Sequence, residues 1–222
     1  MTQITSGVRA VLSHPMVYSA FQQFMGATKD RDLYVRDFLR PREGMRVLDI
    51  GCGPADILAH LPHVEYYGFD ISELYIQRAR ARFADRHAKF ACKLLTSDDL
   101  SRLPRFDRVI AIGLLHHLGD EMATELMRMV STRLAPGGRL VTLDPCLSDD
   151  QNLVSRWLVK SDRGQNVRTR EGYAAIARGA FGHVHATVRH KRWIPYTHCH
   201  VICENDGDGI DKKFASSMPN KP

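Results

Sequence analysis

The stretch "VLDIGCGPADIL", residues 47–58, decides the fold of this chain. An apolar run ends in a glycine-lined turn, the pattern of a buried parallel strand that leads into a helix. Gly51 and Gly53 let the backbone turn tightly and approach a ligand closely. Asp56 stands where a dinucleotide-binding loop has its third glycine. The stretch predicts a ligand site, but not one for a pyrophosphate, because Asp49 and Asp56 are poorly suited to a phosphate.

Strand-like and helix-like runs alternate along the rest of the chain. The parallel strands are predicted at Arg46–Ile50, Tyr66–Asp70, Lys89–Leu95, Asp107–Ile112 and Leu140–Leu143. Ser72 caps one intervening helix, and another is predicted over Glu121–Leu134. This alternation predicts a parallel sheet with helices on both faces. His183–Arg189 and Trp193–Cys203 are predicted to form an antiparallel pair that closes one edge of the sheet.

Length and composition favour one domain. A chain of 222 residues with 44% hydrophobic content can build one α/β domain with a substantial core. We assign residues 1–205 to it, with 1–40 as a helical segment and 206–222 as a flexible polar tail. The net charge of +6 comes from scattered arginines, whereas a nucleic-acid groove usually shows a clustered basic stripe. No nucleic-acid partner is therefore expected, and nothing in the sequence indicates an oligomeric state.

Cysteine usage and hydropathy predict a cytoplasmic location. The five cysteines are an odd number without a CxxC pair, which is typical of a reducing compartment. No apolar run approaches ~18 residues, so no membrane span is expected. The N-terminus lacks a continuous apolar run after Arg9, and we predict no signal peptide.

The carboxyl ends of the predicted strands carry the polar residues. In an open α/β sheet, ligands bind at these ends. Asp70 ends the second strand, where a carboxylate can accept hydrogen bonds from both hydroxyls of a ribose. Together with Asp49 and Asp56, it favours a cationic ligand that has a ribose but no phosphate. S-adenosylmethionine, a sulfonium joined to an adenosine, is such a ligand.

Four motifs in order resemble the class I S-adenosylmethionine-dependent methyltransferase family. They are "VLDIGCGPADIL", "YYGFDIS", "FDRVIAIGLLHHLGD" and "LAPGGRLVTLD", and they cover roughly residues 45 to 145. The resemblance implies a Rossmann-like, seven-stranded, mostly parallel sheet with helices on both faces, an antiparallel last strand and an N-terminal helical lid. Ala55 departs from the family, many members of which have a third glycine there.

The resemblance also implies a cofactor site for S-adenosyl-L-methionine. Asp70 would hold the ribose, Ile71 would pack on adenine, and Ile112 and Gly113 would meet the methionine part through backbone atoms. Ser97 and Asp98 are the nearest matches to the residue that reads the adenine amino group. The full predicted set is Tyr18, Asp49, Gly51, Cys52, Gly53, Asp70, Ile71, Ser97, Asp98, Ile112 and Gly113.

Two histidines are candidates for the catalytic residues. Methyl transfer from a sulfonium is an in-line displacement that depends mainly on orientation. An amine or hydroxyl acceptor must also lose a proton, so a base near the methyl group helps. His116 and His117 follow the fourth strand, and we predict that His116 faces the substrate. The alternative is that both histidines begin the next helix and pack under it.

The acceptor pocket is predicted in "SDRGQNVRTREGY", residues 161–173. Arg163 and Arg168 offer forked donors, and Tyr173 and Tyr196 offer hydroxyl groups. Arginine pairs with planar anions, so a small acceptor with a carboxylate or phosphate is one hypothesis. The alternative is that Asp162 neutralises Arg163 and the other arginines are solvated.

Other functions remain open at this point. The basic charge suggests an RNA or protein methyltransferase, and Asp70 also fits a nicotinamide-dependent oxidoreductase on the same sheet. A cofactor binder without activity is a further alternative. A histidine and cysteine cluster near the C-terminus invites a zinc interpretation: His183, His185, His198, Cys199, His200 and Cys203. We interpret these as half-exposed sheet residues and predict no metal. Cys146 is predicted to be a small inert thiol.

Overall fold

The computed structural model describes residues 27–160, 165–191 and 196–205. The strands are β1 (Arg46–Ile50), β2 (Glu65–Asp70), β3 (Ala88–Cys92), β4 (Phe106–Ile112), β5 (Leu134–Leu147), β6 (Arg168–Thr169), β7 (His183–Lys191) and β8 (Tyr196–Glu204). The α-helices are α1 (Ala27–Tyr34), α2 (Glu73–Arg82), α3 (Ser97–Arg102), α4 (Asp120–Ser131), α5 (Leu153–Lys160) and α6 (Arg170–Arg178). A π-helical turn (Val35–Leu39) follows α1, and two 3₁₀ turns span Asp56–His60 and Leu115–His117.

The sheet has the order β3-β2-β1-β4-β5-β8-β7. The first five strands in this order are parallel, and β8 and β7 are antiparallel to their neighbours. The two-residue β6 pairs with the end of β5 and brings the number of strands to eight. The predicted fold class is thus confirmed, including the antiparallel pair at one edge.

Both faces of β1 are covered, because its side chains alternate between two apolar clusters. Leu48 and Ile50 belong to the cluster that includes α4 and α6. Val47 belongs to the cluster on the other face, with Val141 of β5 and Ile202 of β8. A parallel strand that is buried on both faces is rich in apolar residues along its length. This composition is what predicts β1 from the sequence. The carboxyl end of β1 is thereby fixed at the centre of the sheet.

The segment from α1 to the π-helical turn packs on one face of the sheet. The Tyr34 hydroxyl donates a hydrogen bond to the Val141 carbonyl at 3.0 Å. The Phe38 ring stacks on His200 with ring centroids 4.1 Å apart. Tyr34, Val35, Phe38 and Leu39 therefore form part of the core. The remainder of the predicted lid, including Tyr18, lies outside the described residues, as does the predicted tail from residue 206.

Several element bounds differ from prediction. The helix expected to run to Leu134 ends at Ser131, and β5 starts at Leu134, which pairs with Phe106. The glycine-rich turn expected before the fifth strand lies inside β5, where the register shifts. The third strand ends at Cys92, because Thr96 begins α3 with a capping box.

Residues 148–182 contain two helices that the sequence analysis did not predict, α5 and α6. The Thr169 side chain accepts a hydrogen bond from the Gly172 amide and so begins α6. The stretch expected to be a loop up to Tyr173 therefore ends in a strand and a helix. No helix in the described part of the chain combines the length and the hydropathy that a membrane crossing needs.

Candidate functional site

The turn after β1 has three residues in the left-handed backbone region. Gly51, Gly53 and Ala55 all have positive φ angles, of 73°, 54° and 55°. The amide of Gly51 donates to the Phe69 carbonyl of β2 at 2.8 Å, which anchors the turn. A Cβ added at Gly53 would have no heavy atom within 4 Å. The backbone at Gly53 therefore borders free space, where a ligand can approach it.

Asp70 is fixed against this turn. One carboxylate oxygen accepts from the Gly53 amide at 2.8 Å, and the other accepts from the Ser72 amide at 2.8 Å. Each carboxylate oxygen has two lone pairs, so both can still accept a ribose hydroxyl. The carboxylate thus acts as a local cap and is oriented for a ligand at the same time.

Exposed apolar side chains follow two neighbouring strands at this edge. Ile71 follows β2, and Leu94 lies two residues beyond the end of β3, which pairs with β2. A flat heterocyclic ring that packed on either side chain would bury apolar surface. The sequence analysis missed Leu94, because it placed this residue inside a longer third strand.

Asp49 lies beneath the turn, where it is fully buried. Its carboxylate accepts a hydrogen bond from the Tyr66 hydroxyl at 2.5 Å. Burial raises the pKa of Asp49 to about 7. Cys52 is also buried, and burial together with Asp49 raises the pKa of its thiol. A buried carboxylate in this position would favour a cationic group beside the turn.

Asp56 does not stand as an isolated negative charge. Its carboxylate pairs with Arg31 of α1 at 3.0 Å and with Arg82 of α2 at 2.5 Å. The two arginines weaken the argument that Asp56 alone repels a phosphate. The sequence could not predict this cluster, because Arg31, Asp56 and Arg82 lie on three different elements.

The predicted adenine-reading residues lie in the first turn of α3. Ser97 and Asp98 are exposed, and Asp98 pairs with Arg102 at 2.9 Å one helical turn later. The Asp98 carboxylate is thus engaged on the surface of its own helix. Its role in reading adenine stays a prediction.

The end of β4 lies next to a histidine. Gly113 follows Ile112, has a φ of 65° and donates its amide to the Leu143 carbonyl at 2.7 Å. A Cβ added at Gly113 would lie 3.8 Å from Cε1 of His116. The His116 ring is therefore next to the backbone predicted to meet the methionine end of the cofactor.

His116 forms a buried pair with Asp144 of β5. Its Nδ1 lies 2.8 Å from the Asp144 Oδ1, and its backbone amide donates to the same oxygen at 3.2 Å. An ionised carboxylate can only accept hydrogen bonds, so Nδ1 is the donor in this pair, and a neutral ring then has its lone pair on Nε2. No described residue donates a hydrogen bond to the buried Asp144 Oδ2. Sequence reasoning missed Asp144, which meets His116 only because β4 and β5 are neighbours.

His117 has a different environment. It is exposed, and its ring centroid lies 4.0 Å from that of His116. The two candidate bases are therefore in contact, but only His116 is buried beside the carboxylate. This difference favours His116 as the catalytic candidate.

The guanidinium of Arg168 is engaged within the chain. Its Nε and Nη2 donate to the exposed Asp120 carboxylate, and Nη1 and Nη2 donate to the carbonyls of Leu115 and Leu118. These carbonyls flank the turn that carries His116. All three nitrogens of Arg168 already donate within the chain. In the structure Arg168 therefore holds the His116 turn in place, instead of making the predicted contact with an anion.

The other predicted acceptor residues are dispersed. Tyr173 is buried in α6, and its hydroxyl donates to the Pro145 carbonyl at 2.9 Å, so it does not stand at the mouth of a pocket. Tyr196 is half-buried at the start of β8, beside His198. Arg163 lies outside the described residues.

The histidines and cysteines of β7 and β8 do not form a metal site in the part of the chain described. No three His, Cys, Asp or Glu side chains in residues 27–160, 165–191 and 196–205 converge on a metal-binding geometry. Cys146 is a free, buried thiol. A surface cavity of about 620 Å³ lies near the amino ends of β1 and β2, away from the strand ends described above, and Arg36, Arg40 and His60 contribute to its lining.

Known proteins are similar to this chain over the glycine turn and the first strands. Residues 48–140 match a family described as a methyltransferase domain. Ubiquinone biosynthesis O-methyltransferase of Alkalilimnicola ehrlichii is 30% identical over 112 residues, 49% of this chain and 44% of that protein. The 27-O-demethylrifamycin SV methyltransferase of Amycolatopsis mediterranei is 38% identical over 112 residues, 46% of this chain and 39% of that protein. The chain thus spans less than half of either relative.

A solved structure shares the whole architecture. An O-methyltransferase family protein from Burkholderia thailandensis superposes with a TM-score of 0.66 at 16% identity, over 94% of this chain and 65% of that one. The superposition shows that this chain has the fold of that protein. Residues 48–140 thus match a methyltransferase domain, and the matched segment carries the turn after β1, Asp70 and the His116 turn.

Proposed function

We propose that this chain transfers a methyl group from S-adenosylmethionine to an oxygen or nitrogen atom of a small-molecule acceptor. The observation that carries the proposal is the buried His116–Asp144 pair beside Gly113. It puts a base next to the strand end that the family uses for the methionine part of its cofactor. The names of the two curated relatives describe O-methyltransferases of small molecules, which supports this acceptor class.

The chain offers residues that fit each part of the cofactor. Asp70 would accept the ribose hydroxyls, Ile71 would cover one face of the adenine, and the Gly53 backbone would let the ligand approach. The buried Asp49 carboxylate lies where a cationic group is favoured. The bound cofactor would supply an activated methyl group, and the role of the chain is then to bind and orient the two reactants.

His116 would act as the general base. Its Nε2 lone pair would take the proton that the acceptor oxygen or nitrogen loses as the new bond to carbon forms. Asp144 would hold the ring in the required tautomer and stabilise the imidazolium that results. No metal has a role in this scheme.

The first experiment tests the cofactor. We expect calorimetry to show binding of S-adenosylhomocysteine by the full chain and no measurable binding of NADH. The reverse result would favour the nicotinamide-dependent alternative. Heat from S-adenosylhomocysteine without turnover of any acceptor would favour a cofactor binder without activity.

The second experiment tests the base and the acceptor class. With a radiolabelled methyl donor, we expect label to enter a panel of phenols, amines and carboxylates and not bulk RNA. In His116→Ala, kcat should fall by ~10²–10⁴-fold with little change in cofactor affinity. His117→Ala is the matched control, because its ring touches His116 but is exposed. An equal loss in both variants, or label only in RNA, would contradict the proposal.

A further inference from the structure

Cys146 and Cys199 lie on one face of the sheet, on neighbouring antiparallel strands. Cys199 of β8 is paired with Asp144 of β5, and Cys146 lies two residues beyond Asp144. Side chains two residues apart in a strand share a face, so the two thiols are diagonal neighbours. Both cysteines are free, buried and part of the same apolar cluster. The fold thus brings together two thiols that are far apart in the sequence.

Cys146 also lies beside the first residue of α6. It pairs with Arg168 of β6, and α6 begins two residues later, at Arg170. The Cys199 thiol, as a hydrogen-bond partner, lowers the pKa of the Cys146 thiol, and the amide and the charge of Arg170 add to this effect although burial opposes it. The same contact raises the pKa of Cys199. A thiol whose thiolate is stabilised by a helix N-terminus and a second thiol is reactive, not inert as the sequence predicts.

The other cysteines have a different setting. Cys203 lies on the same strand and the same face as Cys199, but burial raises the pKa of its thiol. Burial likewise raises the pKa of Cys52, and a hydrogen bond to a neighbouring glutamate raises the pKa of Cys92. Cys146 is therefore the thiol in this chain that combines a second thiol, a helix N-terminus and a lowered pKa.

We propose that Cys146 and Cys199 are a peroxide-sensitive thiol pair and that their disulfide loosens the turn that carries His116. Hydrogen peroxide is not much larger than water, so it can reach a buried thiol when the structure opens locally. The disulfide itself does not depend on the proposed function. Its effect on methyl transfer, through His116, rests on that function.

The reaction has two steps. The Cys146 thiolate attacks one oxygen of hydrogen peroxide, the O–O bond breaks, and the departing hydroxide takes the proton that the Cys146 thiol released. Cys146 is then a sulfenic acid. The Cys199 sulfur next attacks the Cys146 sulfur, the S–O bond breaks, and the hydroxide leaves as water with the Cys199 proton. The two sulfurs lose two electrons, and the peroxide gains them as it becomes two molecules of water.

Closure of this disulfide requires the end of β5 to move. Diagonal neighbours on paired strands have Cβ atoms about 7 Å apart, whereas a disulfide needs about 4 Å. The end of β5 carries Asp144, whose carboxylate fixes His116. It also pairs with Arg168, which donates to the two carbonyls that flank the His116 turn. A shift of this strand end would weaken both contacts, and the strain would make the bond easy to reduce.

The test treats the full chain with hydrogen peroxide under native conditions and maps disulfides by mass spectrometry of unreduced peptides. We expect one cross-linked pair, Cys146 with Cys199, that dithiothreitol reverses. Cys199→Ala should stop at the sulfenic acid of Cys146, which dimedone labels. Cys203→Ala is the matched control, because it removes a buried thiol from the same strand and face. The cross-link should form in this control at the wild-type rate.

Hydrogen exchange on reduced and oxidised protein measures the coupling. Residues 115–118 should exchange about tenfold faster after oxidation, whereas Cys199→Ala, which cannot form the bridge, should show no such change. A cross-link that leaves this exchange unchanged would overturn the coupling to the His116 turn. Absence of the cross-link, a different cysteine pair, or equal modification of Cys146 and Cys203 would overturn the thiol pair itself. These readouts need neither cofactor nor acceptor, so a failure of the proposed function is seen separately, as absent binding of S-adenosylhomocysteine.

Discussion

At the scale of single residues, two glycines with the same backbone conformation lie in different surroundings. Gly53 in the turn after β1 and Gly44 before β1 both have positive φ angles, of 54° and 77°. A Cβ at either position would meet no heavy atom of the chain within 4 Å. Only Gly53 lies against Asp70 and the proposed cofactor site. Comparing alanine substitutions at Gly44 and Gly53 therefore distinguishes the cost of backbone strain from the loss of space for a ligand.

We predict that Gly53→Ala and Gly44→Ala lower the free energy of unfolding by similar amounts, about 1–2 kcal/mol each, because both force a side chain into the left-handed region. Only Gly53→Ala should also weaken S-adenosylhomocysteine binding, by tenfold or more as an order of magnitude. Urea unfolding and calorimetry on the same preparations measure the two effects. Equal affinities in the two variants would remove Gly53 from the site.

Asp49 makes the stability of the fold depend on pH. Burial raises its pKa to about 7, whereas an unfolded chain has an aspartate pKa of about 4. Between these values the folded chain holds a proton that the unfolded chain has released. Stability contributed by this group is therefore full below pH about 4, falls as the pH rises to about 7, and stays low above it.

We predict that Asp49→Asn removes this dependence, since the amide oxygen can still accept from the Tyr66 hydroxyl. Relative to wild type, the variant should gain about 1–3 kcal/mol of unfolding free energy between pH 5 and pH 8. Urea unfolding at the two pH values gives the difference. A wild-type minus variant difference that is constant with pH would show that Asp49 does not titrate in this window.

At the scale of elements, the short turn Leu115–His117 is held from two sides. Asp144 of β5 fixes His116 from inside, and Arg168 of β6 binds the carbonyls of Leu115 and Leu118. A 3₁₀ turn of three residues has little stability of its own. Its orientation therefore depends on these contacts, and Arg168 is a positioning residue for His116.

We predict that Arg168→Met lowers unfolding free energy by about 2–4 kcal/mol, because buried carbonyls lose charged donors. It should also lower kcat while the KM for the acceptor and the affinity for S-adenosylhomocysteine stay near wild type. Arg178→Met is the control, since Arg178 pairs with Glu171 on the exposed side of α6. A selective rise in the acceptor KM would instead restore Arg168 as an anion-binding residue.

Local sequence patterns predict β1 and the two terminal strands, β7 and β8. Val47, Leu48 and Ile50 are apolar because β1 is buried on both faces, and the terminal strands β7 and β8 show β-type composition over nine residues each. Helix α5 was not predicted, and its apolar residues Leu153, Val154 and Trp157 face solvent in the structure. The length of β5 escaped prediction because Gly137 and Gly138 normally signal a turn.

Site residues at a single strand end could be predicted from their motifs. Site residues that meet only through tertiary contacts could not. Asp70 and Gly53 sit at fixed places in their motifs, and the structure joins them at 2.8 Å. Asp144 contacts His116 from 28 residues further along the chain, and Arg168 contacts the Leu115 carbonyl from 53 residues away. No spacing rule links such positions before the strand order is known.

At the scale of the whole molecule, a buried arginine joins the segment from α1 to the π-helical turn to the sheet. Arg108 of β4 donates from Nε to the Leu39 carbonyl at 2.6 Å and from Nη2 to the Arg40 carbonyl at 3.3 Å. Burial lowers the pKa of Arg108 to about 10, so it stays protonated at neutral pH. The end of the π-helical turn, where Arg40 has a φ of 48°, depends on this charged donor.

We predict that Arg108→Met lowers the free energy of unfolding by about 2–4 kcal/mol, because the carbonyls it serves lose a charged partner in a buried setting. Arg102→Met is the control, since Arg102 is exposed and pairs only across one turn of α3. That variant should change stability by less than about 1 kcal/mol. Equal midpoints in urea would show that the Arg108 contacts do not hold the segment from α1 to the π-helical turn on the sheet.

The stacked rings of Phe38 and His200 have a spectroscopic consequence. They lie 4.1 Å apart and only 15° from parallel, so each ring sits in the shielding cone of the other. In a proton NMR spectrum, the ring protons of His200 should therefore resonate upfield of those of the exposed histidines. Phe38 belongs to the segment from α1 to the π-helical turn, and His200 belongs to β8. The loss of this shift would therefore report separation of that segment from the sheet before the rest of the chain unfolds.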